Sequence, residues 1–293
     1  MKKIIHFGLT ALFYVSFATA SPAPSTQDQL QFRLIQDTLV VVAIRINDLG
    51  PFDFILDTGT DTTLVDPRLA SSLQLVPLDR MTLTTPIGKQ VLVRTALGKV
   101  VLGSATASDV EGLVQDMPAL RKLSPHIRGI LGQNFLSHFN YVLDYRHKFL
   151  YFESENELRD SSLGARVPLE APGRMVIQSE ISPLGVGKAR LLLDSAANNL
   201  VLFRRLERLG PLQQGEDSSV TDSRNAARTS TLVRIDSLTI CDQHLHDLKL
   251  AYLPPGIGDS RFEDGLLPTI LFRALYVNNR EGFVVLNPRF AKG

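Results

Sequence analysis

The chain has 293 residues, with 31 Lys and Arg against 30 Asp and Glu, and 44% of it is apolar. That balance argues against nucleic acid or an anionic membrane surface as the main partner, and the length is enough for one or two apolar cores. Cys241 is the only cysteine, so no disulfide within the chain supports the fold, and the lack of Trp argues against carbohydrate stacking.

Lys2 and Lys3 precede an apolar run from Ile4 to Ala18, and Ala18-Thr19-Ala20 has the small-x-small form of a processing site. Residues 1–20 therefore read as a signal peptide cut after Ala20, too short for a comfortable membrane span, and the mature protein is expected in the periplasm or secreted. Residues 21–29 are a Pro- and Ser-rich leader. Leu39 to Ile46 reads as a strand, Asn47 to Pro51 as a turn, and Phe52 to Leu56 as a returning strand that runs straight into Asp57. An ionisable residue at the end of an apolar strand, followed by Thr58 and Gly59, suits a tight loop that presents a carboxylate at the floor of a cleft. Asp66-Pro67 predicts a short helix, with Asp66 as its N-cap and Pro67 at the first helical position. Thr84 to Gln90 predicts a hairpin turn between two β-prone runs.

Two stretches carry a resemblance. Phe54 to Asp66 contains Leu-Asp-Thr-Gly-Thr-Asp, and residues 129–152 begin Gly-Ile-Leu-Gly and end in apolar strand-like runs. Together they resemble the aspartic proteases, the retroviral single-domain type most closely, over about residues 39–152. The resemblance implies Asp57 as a catalytic carboxylate supported by Thr58 and Gly59. It implies Asp61 as a contact to substrate backbone, and a flap whose Thr85, Ile87 and Gly88 cover a bound peptide. The hairpin has no Tyr, unlike the flap typical of the two-lobed pepsins.

Residues 153–173 are polar, broken by Gly and Pro, and read as a linker between lobes 30–152 and 174–293. Beyond it the pattern returns: Arg190 to Leu202 runs an apolar strand into Asp194, followed by Ser195 and Ala196. Gly265-Leu266-Leu267-Pro268 stands where Gly129-Ile130-Leu131-Gly132 stood. Asp57 to Gly129 is a step of 72 residues, and Asp194 to Gly265 one of 71. These matched steps predict an internal duplication, an all-β, bilobal fold with an approximate two-fold and a few short helices. Asp194 is then either a working partner of Asp57 or a relic. Ser195 keeps the hydroxyl, but Ala196 replaces glycine, which costs about 1 kcal/mol or more if that position requires φ > 0. Thr221 to Arg228 contains no glycine, which fits a protein using a single flap.

The function expected from these residues is peptide-bond hydrolysis of an extended peptide or unfolded protein, by a water activated between Asp57 and Asp194. A non-enzymatic peptide- or protein-binding protein of the same fold is one alternative. Catalysis by homodimerised first lobes is another, although a monomer is favoured over a homodimer. No cofactor is expected, and no metal, because His244 and His246 have no evident third ligand.

Overall fold

The computed structural model describes residues 29–153, 158, 163–182, 188–203, 215–254 and 262–290; the predicted signal peptide and most of the leader lie outside them. The chain opens with β1 (Leu30–Gln31), β2 (Arg33–Ile35), β3 (Leu39–Ile46) and β4 (Leu49–Leu56). β5 (Thr63–Val65), α1 (Pro67–Ser72), β6 (Pro77–Thr85), β7 (Gly88–Leu102) and β8 (Ala105–Val114) follow. The first lobe ends with α2 (Pro118–Leu123), β9 (Ile127–Leu131), α3 (Gln133–Leu136), β10 (Tyr141–Asp144) and β11 (Phe149–Phe152).

The local chemistry explains the elements. β3 and β4 join through Asn47 and Asp48, both with positive φ (48° and 65°). These two residue types tolerate the left-handed region, so the turn needs only two residues and β4 starts at Leu49, earlier than the sequence suggests. Asp66 caps α1 by accepting from the Arg68 amide at 2.9 Å. Asn134 ties α3 to β5: its Oδ1 accepts from Thr63 N at 2.9 Å and from Thr63 Oγ1 at 2.7 Å.

β3, β4, β9, β5, β8 and β7 form a ring, closed by pairing of β7 back onto β3. β9 lies between β4, to which it runs parallel, and β5, to which it is antiparallel. That insertion demands a glycine. A Cβ on Gly129 would lie 2.1 Å from the Phe54 ring and 2.4 Å from Leu64 O.

The second lobe contains β12 (Arg166–Pro168), β13 (Val176–Ser182), β14 (Lys188–Asp194), β15 (Leu200–Leu202), β16 (Glu216–Thr221), β17 (Ala227–Ile240) and β18 (Gln243–Tyr252). β19 (Gly265–Pro268), a 3-10 turn (Thr269–Leu271), β20 (Ala274–Asn278) and β21 (Phe283–Leu286) complete it. Here β13, β14, β19, β15, β18 and β17 close the same kind of ring, with β19 again parallel to one neighbour and antiparallel to the other. Gly265 answers Gly129, since a Cβ there would lie 2.1 Å from Val201 O. Each ring therefore ends a central strand in an aspartate, β4 before Asp57 and β14 at Asp194.

A third sheet joins the lobes, in the order β1-β11-β10-β20-β21-β12. Its centre pairs one hairpin from each lobe, Tyr141 opposite Val277 and Asp144 opposite Ala274. The segment read as a linker thus also supplies an edge strand, β12. One apolar core runs through both lobes, from Val42, Phe54 and Leu56 to Leu191, Leu193 and Leu275. Each fully buried aliphatic side chain contributes roughly 1.5–3 kcal/mol, so the lobes are held as one body.

Candidate active site

Phe54, Ile55 and Leu56 are fully buried and deliver Asp57 to the junction of the lobes. The Asp57 amide donates to Leu131 O at 3.0 Å, and its Oδ1 accepts from Gly59 N at 2.8 Å. From the other lobe β14 delivers Asp194, 9% exposed, whose Oδ1 accepts from Ala196 N at 2.8 Å and Ala197 N at 2.9 Å. The two carboxyl groups are within hydrogen-bonding contact of each other.

Behind them the loops lock reciprocally. Thr58 Oγ1 donates to Leu193 O at 2.7 Å and accepts from Ser195 N at 3.1 Å. Ser195 Oγ donates to Leu56 O at 2.7 Å and accepts from Thr58 N at 3.0 Å. Each hydroxyl uses one proton and one lone pair on the opposite lobe, so every polar group in this dry junction is satisfied.

Burial pushes both carboxyl groups above the ordinary range. For Asp57 the charge of Asp194 adds to that push, and the peptide N–H of Gly59 only partly opposes it. For Asp194 the N–H groups of Ala196 and Ala197, and a hydrogen bond from Asp57, pull the other way. The pair therefore shares one proton, held toward Asp57, with the negative charge on Asp194.

Gly59 is required by space. A Cβ there would lie 2.6 Å from Asp194 Cγ and 2.7 Å from its Oδ2. Neither Gly59 nor Ala196 has a positive φ. The strain expected for Ala196 is therefore absent, and its methyl packs against an apolar cluster of the first lobe that includes Ile55, Leu64 and Ile130.

Residues 42–135 match the family model described as aspartyl protease. Through its first lobe the chain belongs to the aspartyl protease family. Among solved structures, a retropepsin-like aspartic protease from Rickettsia conorii is similar over 42% of this chain and 88% of its own, at 15% identity and a TM-score of 0.32. No curated protein matches the chain. The model match ends inside α3, so the second aspartate of this aspartyl-protease architecture lies outside the matched residues.

The other expected residues fall in two places. Thr85, Ile87 and Gly88 form the β6–β7 turn, where Thr85 Oγ1 accepts from the Ile87 and Gly88 amides at 3.3 Å. Asp61 stands at the rim, 62% exposed at its side chain, and is not alone. Arg174 of the second lobe donates to its Oδ1 at 3.1 Å and pairs with the buried Glu263 at 3.1 Å. Asn198, in the corresponding place of the second lobe, accepts only from its neighbour Asn199 among the described residues.

Sequence reasoning missed Arg174 and Glu263, which carry no motif. It also missed Gln133, whose Nε2 supports the Thr58 carbonyl at 3.0 Å. Its position directly after Gly-Ile-Leu-Gly was the available signal. The single-flap expectation is corrected: β16 and β17 form a second hairpin, paired from Glu216↔Leu232 to Thr221↔Ala227. It needs no glycine, because Asp222 accepts the amides of Arg224 and Ala226 while Asn225 takes the left-handed φ of 68°.

Proposed function

We propose that the chain is an aspartic endopeptidase in which Asp57 and Asp194 together activate a water. The observation that supports this reading is the contact of two buried carboxyl groups, one from each lobe, on loops locked to each other by Thr58 and Ser195. The charged Asp194 takes a proton from the water as its oxygen bonds to the peptide carbonyl carbon. Asp57 gives its proton to the carbonyl oxygen. The resulting gem-diol collapses when the amide nitrogen is protonated and the C–N bond breaks, returning the pair to its shared-proton state. No cofactor is needed for this balance.

The substrate in this reading is an extended peptide or unfolded segment lying between the lobes. Asp194 supplies within one chain the second carboxylate that a dimer of first lobes would supply, so a monomer is the working unit. The matched topologies of the lobes support descent by duplication. Export after cleavage at Ala20 belongs to the same proposal, and N-terminal sequencing of protein from the periplasm or medium tests it: a mature chain starting at Ser21 is expected.

The test of function is hydrolysis of a mixed peptide library from about pH 3 to 7. Wild type should cleave, and Asp57→Asn and Asp194→Asn should each lose cleavage while remaining folded. Full activity in Asp194→Asn would return the second lobe to the role of scaffold. A folded wild type without any cleavage would favour the peptide-binding alternative.

A further inference from the structure

The two hairpins touch across the cleft, and the contacts converge on one buried residue. Gln115, 4% exposed, follows β8 in the first lobe. Its Nε2 donates to Ser223 Oγ at 2.9 Å, at the tip of the β16–β17 hairpin of the second lobe. Its Oε1 accepts from Gln90 Nε2 at 3.0 Å, on the β6–β7 hairpin of the first. Beside it, α2 begins at Met117, which gives no side-chain cap, and the α2 amide of Ala119 donates instead to Ser223 O at 3.1 Å. A few residues along the second hairpin, Arg228 Nη1 donates to Pro86 O at the tip of the first, at 3.2 Å, and its Nη2 donates to Pro254 O. Leu83 and Leu92 of the first hairpin pack on the same apolar cluster as Ala196, which places that hairpin over the carboxyl pair. Val220 and Leu232 of the second pack on the Val201 and Ala251 cluster of their own lobe.

We propose that the two hairpins are a single coupled lid, with Gln115 as its latch. Neither hairpin can lift far without leaving a buried amide or hydroxyl of the other unpaired, so they open together. Substrate enters only in the open state and is then enclosed on both sides. The joint lid selects thin, extended chains and rejects folded loops. That selectivity rests on the protease reading; the coupled opening does not.

Two measurements separate them. Amide hydrogen exchange reads the lid without any substrate. In Gln115→Leu the Ala119 amide should exchange roughly tenfold faster or more, while the Asp57 amide, bonded to Leu131 O within the first ring, keeps its protection. Unchanged exchange at Ala119 would overturn the latch. The second measurement joins the lid covalently. In a Cys241→Ser background, Gln115→Cys and Ser223→Cys are linked by a short bis-maleimide, and hydrolysis of an unfolded protein substrate is compared before and after. Linking should lower the rate at least about twentyfold, with no change in either single-cysteine control. Turnover that survives linking would overturn the lid as the route of entry. If the unlinked protein shows no hydrolysis, the protease reading fails and the exchange result alone decides the lid.

Discussion

Replacing Ser195 by Ala removes one oxygen and disturbs both lobes. The Oγ donates to Leu56 O and accepts from Thr58 N, and both of those residues are buried. Each orphaned buried group costs about 1–3 kcal/mol. The variant should therefore lose roughly 2–4 kcal/mol of stability, since the Leu56 carbonyl keeps some pairing within its own sheet. For a chain of this size that corresponds to a fall in Tm of about 5–15 °C. Because the same bonds align the two aspartate loops, a displacement near 1 Å should also lower the hydrolysis rate about a hundredfold. Ser195→Thr keeps the hydroxyl, as Thr58 does opposite, and should recover most of both losses. Thermal unfolding and peptide hydrolysis on the three proteins measure this. A loss below about 0.5 kcal/mol in Ser195→Ala, with the rate unchanged, would refute the reasoning that the reciprocal bonds hold the site.

Gly59→Ala drives a methyl into the carboxyl group of Asp194, which Ala196 N and Ala197 N hold in place, so it should cost about 1–3 kcal/mol and abolish hydrolysis. Ala196→Gly relieves no strain and loses packing, so it should lower stability by about 1 kcal/mol in denaturant titration and bring no gain in rate. Asp57 holds its proton more tightly folded than unfolded, so its contribution to stability is full below the ordinary value of 3.8 and is lost as pH rises through the raised one. Asp57→Asn removes that loss, and its stability relative to wild type should increase over the same window, by about 1.4 kcal/mol for each unit of the upward displacement.

The fold was legible where chemistry and spacing coincide. An apolar strand running into Asp57, the glycines at 129 and 132 and their counterparts at 194 and 265 announced two similar rings before any coordinates. Ser195 was legible as a counterpart of Thr58, because the lock needs only a hydroxyl. The reason for Gly59 was not: the requirement is a carboxyl group 137 residues closer to the far end of the chain in sequence yet adjacent in space, and local sequence says nothing of it. For the same reason Ala196 looked like damage, although its methyl occupies an apolar surface of the other lobe. The second hairpin escaped notice because a glycine-free turn was read as a weak one, when Asp222 and Asn225 supply the same geometry. Arg174 and Glu263 are held to Asp61 by tertiary placement alone, so no motif marks them.

The central claim is that Asp57 and Asp194 titrate as one pair, and carbon-13 NMR of labelled aspartate carboxyl groups tests it most directly. In wild type the two signals should move together, with one proton retained well above the ordinary carboxylate range. In Asp57→Asn the remaining Asp194 should titrate lower than the shared proton does, because the like charge that held the proton is gone while the Ala196 and Ala197 amides still favour the anion. Two signals that titrate independently in wild type, with Asp194 unmoved by Asp57→Asn, would contradict the account.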